Sequence, residues 1–141
     1  MTDIHTMDSL KTEGNNLFKE KKYEEAIEKY MIALPLVENE KEKSIIHSNI
    51  SATYCKLENY GRALEHAAVA TKVNSDWYKA WYRLSFVLYK LEKIDQAKKA
   101  IDKTLELCKE NDIESDFIKD LKRDIYRFGK DDNDTEDEEE V

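Results

Sequence analysis

The chain has 141 residues, enough for one domain with a real core and too few for two sizeable ones. Hydrophobic residues make up 40% and charged residues 38%, with only three glycines and one proline, so the turn punctuation of an all-β fold is missing and helices are favoured. The net charge of −8 is unevenly placed: eight of the 31 acidic residues fall in 131–141 (DDNDTEDEEEV), leaving 23 acidic against 23 basic residues in 1–130. A neutral body can still gather positive charge on one face.

No run of apolar residues is long enough to cross a bilayer, and the start, MTDIHTMDSLK, has neither the apolar core nor the basic flank of a secretory signal. The expectation is a soluble chain of the cytoplasm, with the nucleus also open to it, and no membrane contact. Cys55 and Cys108 stand far apart without CxxC spacing, and read as ordinary core or half-buried thiols rather than a disulfide or a zinc site.

In chain order, residues 1–7 read as a leader, followed by helices over about 8–21, 23–38, 41–57, 60–73, 76–91 and 94–109, with breaks at Lys21-Lys22, Asn59-Tyr60 and Lys93. Pro35 falls where the second helix should still be running, so that helix is expected to bend or end early. A shift that aligns Gly14, Ser51 and Ser85 also aligns Ala26, Ala63 and Ala97, at offsets of 37 and 34 residues. The longer first connection, VENEKE at 37–42, explains the difference. Two antiparallel helices approach closely only where side chains are small, while residues such as Leu10, Leu17, Tyr30, Trp81, Leu84, Leu88 and Ile101 fill the space beside them. Each repeat is therefore a helical hairpin, over about 8–40, 41–75 and 76–110. A seventh helix over about 112–128 carries Ile113, Phe117, Leu121 and Ile125 along one stripe and would cover the open edge of the last hairpin. After Gly129 no apolar residue follows until Val141, so 129–141 is expected to be a disordered acidic tail when free.

With this repeat length, these small-residue positions and the terminal cap, the chain resembles the tetratricopeptide repeat family over about 8–128. The resemblance implies an all-α fold of three helical hairpins stacked in a right-handed superhelix plus a C-terminal capping helix. The chain departs from the family pattern at Glu13, His47 and Ala67, where larger or apolar residues are commoner, and no repeat ends in the usual proline.

Within the first helix of each repeat a second set of residues does not fit the core pattern: Lys11 and Asn15, then Asn49, then Lys79 and Arg83. Lys11/Asn15 and Lys79/Arg83 are i, i+4 pairs, so each pair projects from one helical face. First helices of stacked hairpins line the concave side, which would bring three cations and two amides together with no acidic side chain in the set. Lysine and arginine offer charge-assisted donors and asparagine amides donate beside them, so the set suits a carboxylate. Any one of these lysines alone would be an ordinary solvated residue; the weight lies in five in register. The pattern is similar to the two-carboxylate clamp of co-chaperone tetratricopeptide domains, which hold the final EEVD of the cytosolic seventy- and ninety-kilodalton heat-shock chaperones. That resemblance implies that Lys11, Asn15, Asn49 and Lys79 take the carboxylates of the ligand's last aspartate, with Arg83 reaching upstream. One turn further, Phe18, Ala52, Lys56 and Phe86 would form walls for the preceding ligand residues.

Other residues point to no chemistry. His47 falls on a packing position, and His5 and His66 give no pair with metal-ligand spacing. Gly14 lacks the flanks of a phosphate loop and no nucleophile constellation is present, so neither an enzyme nor a cofactor is expected. Basic and aromatic residues do not interleave along a track, and the acidic tail opposes nucleic acid. The expectation is a monomeric adaptor for chaperone C-termini. The rival is a general scaffold that takes an internal segment of a partner, and the ending EEEV adds the idea that the tail captures its own groove.

Overall fold

A computed structural model of the protein describes residues 3–130, with side chains from Thr6 onward. Its helices are α1 (Asp3–Lys19), α2 (Tyr23–Ala33), α3 (Glu40–Lys56), α4 (Tyr60–Val73), α5 (Tyr78–Lys90), α6 (Ile94–Glu110) and α7 (Asp116–Arg127), with no strand among the described residues. α1 pairs with α2, α3 with α4 and α5 with α6, while α3 packs directly on α5 and α7 lies on α6 with its edge against α5. The all-helical architecture of three stacked hairpins and a last covering helix is the one expected.

Local chemistry sets the boundaries. Asn39 and Asn59 start α3 and α4, their side-chain oxygens accepting from the backbone N–H groups of Glu42 and Arg62 at 3.1 and 3.2 Å. α2 ends at Ala33 and passes into a short 3-10 turn, Leu34–Leu36, because Pro35 has no N–H to continue the ladder. Each hairpin turns in one manner: Lys21, Glu58 and Glu92 adopt left-handed backbone, with φ of 66°, 57° and 59°. The N–H of the following residue then reaches back to the carbonyls of Leu17, Tyr54 and Leu88 at 2.8, 2.9 and 2.9 Å, closing the helix C-terminus.

The small residues lie where the hairpins touch. Ala26, Ala63, Ala97, Ser51 and Ser85 are fully buried, and the Ser51 hydroxyl donates to the Ala63 carbonyl at 2.8 Å, tying α3 to α4. Ser44 repeats the bond to the Ala70 carbonyl at 3.0 Å. Ala67 is equally buried, so its departure from the larger family residue suits a tight α3–α4 contact. Glu13 is exposed and pairs with Lys29 of α2 at 3.3 Å.

Some elements differ from the sequence reading. Residues 3–7 of the expected leader belong to α1. α7 begins at Asp116 rather than near 112, and its buried stripe is Ile118, Leu121 and Ile125, whereas Phe117 is 59% exposed with its ring edge-on to Tyr82 at 5.1 Å. Ile118 is the neighbour one step on that points inward at spacings of three and four from its partners. The acidic tail at 131–141, and with it the idea of self-capture, lies outside the described residues. No described helix is long and apolar enough to cross a membrane.

Candidate functional site

The five residues singled out in the sequence all stand on first helices of hairpins: Lys11 and Asn15 on α1, Asn49 on α3, Lys79 and Arg83 on α5. A groove of about 390 Å³ is lined by Asn15, Phe18, Lys19, Tyr30, Asn49, Ala52 and Arg83. The fold thus gathers three of the five, one from each hairpin, together with Phe18 and Ala52 of the second tier. Lys11, Lys79, Lys56 and Phe86 stand outside this lining. Phe86 is linked to it through Arg83, whose guanidinium carbon lies 5.8 Å from the Phe86 ring centroid and 5.8 Å from that of Tyr82.

Asn15 is oriented by a residue read from the sequence only as core. Tyr30 is 2% exposed, and burial pushes its phenol up to about 12, so it is a neutral hydroxyl at physiological pH. It donates to Asn15 Oδ1 at 2.5 Å. With that oxygen occupied, the Asn15 amide N–H groups are the ones left to donate. Arg83 lines the groove too, but its Nε is buried and has no hydrogen-bond partner among the described residues, so that nitrogen is not one that a groove ligand reaches. Burial pushes the neighbouring Cys55 thiol up, while the Arg83 charge acts in the opposite direction.

Lys79 is exposed, and none of the ion pairs among the described residues involves it. Its place one turn before Arg83 puts it on the same face of α5. Lys19, one turn beyond Asn15, lines the groove as well; the i, i+4, i+8 series Lys11, Asn15, Lys19 is the sequence signal that marks it. Lys11 departs from expectation. Its Nζ is paired with Glu42 Oε1 of α3, so an acidic side chain does stand within the set. The groove lining itself carries amide, lysine and guanidinium donors, an aromatic wall and no carboxylate, a composition suited to an anionic ligand.

His47 is half-buried, as its packing position implies, but it is not alone. Its Nδ1 lies 3.0 Å from Nδ1 of His66 across the α3–α4 hairpin, and Tyr54 stacks on the far side of His66 at 5.9 Å between centroids. The pair falls 19 residues apart in the chain, a spacing only tertiary packing converts into contact. Among the described residues no cluster of three or more His, Cys, Asp or Glu side chains could hold a metal ion. Cys55 and Cys108 are free, buried thiols.

No family profile matches the chain. Among curated proteins it is 40% identical over 102 residues to protein unc-45 homolog B of Xenopus laevis, an alignment covering 72% of this chain and 11% of that protein. The chain therefore spans only a small part of the length of such relatives. Among solved structures, the Sgt2 TPR domain from Aspergillus fumigatus matches with a TM-score of 0.80 and 32% identity, covering 90% of this chain and 81% of that one. The first TPR of Spaghetti (RPAP3), bound to the HSP90 peptide SRMEEVD, matches with a TM-score of 0.77 and 25% identity, covering 87% of this chain and 92% of that one.

Proposed function

Since the chain belongs to the tetratricopeptide repeat family, we propose that its groove is a carboxylate clamp for the acidic C-terminus of a cytosolic heat-shock chaperone, of the ninety-kilodalton class, the seventy-kilodalton class or both. The observation that carries this reading is the convergence of Asn15, Asn49 and Arg83, from three separate hairpins, on one groove whose lining is free of carboxylates. Charge-assisted bonds from Arg83 and Lys79 hold the terminal carboxylates, and the asparagine amides donate beside them. Lys11 completes the set once its charge is released. Phe18, Ala52 and Phe86 offer apolar contact to the residue before the glutamates, with Lys56 and Lys19 near the acidic side chains. The peptide captured by the Spaghetti domain ends in EEVD, which supplies this combination of charge and apolar character.

On this reading the protein is a cytoplasmic adaptor and not an enzyme; any catalysis in the complex belongs to its partners. The test is titration of a labelled peptide ending in MEEVD against the protein and against Lys79→Ala, with the amidated peptide as control. Saturable binding that is lost on amidation and falls at least about tenfold in the variant supports the clamp, a charged hydrogen bond being worth roughly 1.5–3 kcal/mol. Binding indifferent to amidation replaces the clamp with a scaffold that takes an internal segment.

A further inference from the structure

We propose that Glu42 is a built-in competitor for the ligand carboxylate, holding Lys11 one turn from the groove asparagine Asn15 and setting how strongly a free C-terminus is preferred; the inference rests on the clamp reading above. The pair joins the two helices, α1 and α3, that carry the groove asparagines. Lys11 lies one helical turn before Asn15 on α1, and Glu42 lies seven residues before Asn49 on α3, so each partner shares a helical face with a groove asparagine. The Lys11 Nζ contacts Glu42 Oε1, and the two side chains are 26% and 23% exposed, so the contact is partly shielded from water.

A ligand carboxylate that uses Lys11 must therefore displace Glu42 or share the ammonium, and its positive charge, with it. In either case it gains less there than from an ammonium with no carboxylate on it. Lys79 and Arg83, by contrast, hold no carboxylate among the described residues, so a ligand displaces none there. Glu42 thus lowers the benefit of each contact made through Lys11 while leaving the α5 side of the clamp untouched. The backbone of α3 does not need this carboxylate: the Asn39 cap bonds to the Glu42 N–H, which any residue supplies. Replacing Glu42 by glutamine keeps shape and cap and removes the charge.

The experiment is calorimetric titration of free-acid and amidated peptides ending in MEEVD, at low salt, into the protein, Glu42→Gln, Lys11→Met and the double variant. The expected result is that Glu42→Gln binds the free-acid peptide about threefold to fivefold more tightly, as loss of a partly exposed ion pair allows. The amidated peptide gains nothing, and the gain vanishes in the Lys11→Met background. An unchanged or weaker affinity in Glu42→Gln overturns the proposal, because Glu42 would then serve to position Lys11. A gain shared by the amidated peptide or retained without Lys11 also overturns it, since the effect would be one of overall charge. If the unsubstituted protein binds neither peptide, the clamp reading itself fails and this inference falls with it, an outcome distinct from the other two.

Discussion

A Cβ placed on Gly14 would lie 2.6 Å from Cε1 of Tyr30, so the glycine of α1 and the tyrosine ring of α2 occupy complementary space. The same ring carries the hydroxyl that holds Asn15, the next residue after the glycine. Packing of the first hairpin and orientation of a groove donor are thus one arrangement. Gly14→Ala is expected to destabilise the fold by about 1–3 kcal/mol through overpacking, despite alanine's better helix propensity, and to weaken peptide binding by displacing Tyr30. Tyr30→Phe should cost about 1 kcal/mol of stability and a few-fold in affinity, because only the hydroxyl bond is lost. Urea unfolding and peptide titration of both variants check this; a Gly14→Ala protein as stable as its parent would contradict the close approach.

The three hairpin turns place Lys21, Glu58 and Glu92 in left-handed backbone that side chains with a Cβ adopt only at a cost. Glycine at any one of them should stabilise the protein by about 0.5–1 kcal/mol, the relief of strain being partly offset by a freer unfolded chain. The positions are far apart, so the gains should add. Thermal or urea unfolding of the single and triple variants measures it, with peptide affinity unchanged since none of the three lines the groove.

His47 and His66 meet at 3.0 Å between Nδ1 atoms, which requires that at least one ring be neutral at the shared position. Burial first, then the His66 charge and Lys43, lower the His47 pKa to about 4, and burial lowers that of His66. Groups whose folded pKa is depressed leave the unfolded chain binding more protons, so stability is full above about pH 6.5 and falls as the pH drops towards 4. His66→Gln should shrink that decline. Denaturation midpoints from pH 7.5 to 4.5 for both proteins test it, and identical slopes would show that the contact does not govern the pH response.

On α7, Ile125 is fully buried whereas Phe117 is 59% exposed. Ile125→Ala should cost about 2–5 kcal/mol, and Phe117→Ala much less, in the range of an edge-on ring contact of about 0.5–1.5 kcal/mol. Comparable losses at both positions would mean that α7 packs in the phase first expected from the sequence.

Much of this was legible in the chain itself. The offsets of 37 and 34 residues that align Gly14, Ser51 and Ser85 recur in the turn residues Lys21, Glu58 and Glu92. Small residues at a fixed period leave close helix pairing as the favourable arrangement, and a proline inside a helical run kinks or breaks it, as Pro35 does after Ala33. The groove residues Asn15, Asn49 and Arg83 were legible for the same reason, since a repeat that stacks must align its first helices. Less legible was the phase of α7: Ile113 and Phe117 extend an i+4 series in the text, and only the packing of α7 shows that Ile118 faces inward.

What the sequence alone determined is therefore everything that follows from periodicity: helix number, hairpin pairing, the burial of the small residues and which helices present the polar set. What the tertiary structure decided are the cross-helix partners: Glu42 on Lys11, Tyr30 on Asn15 and His66 on His47. Glu42 lies 31 residues from Lys11, and His66 lies 19 from His47. Periodicity assigns a residue to a face of its own helix, but the neighbour it meets there depends on the rotation and separation of two packed helices, which are set by the summed fit of many side chains rather than by any local pattern.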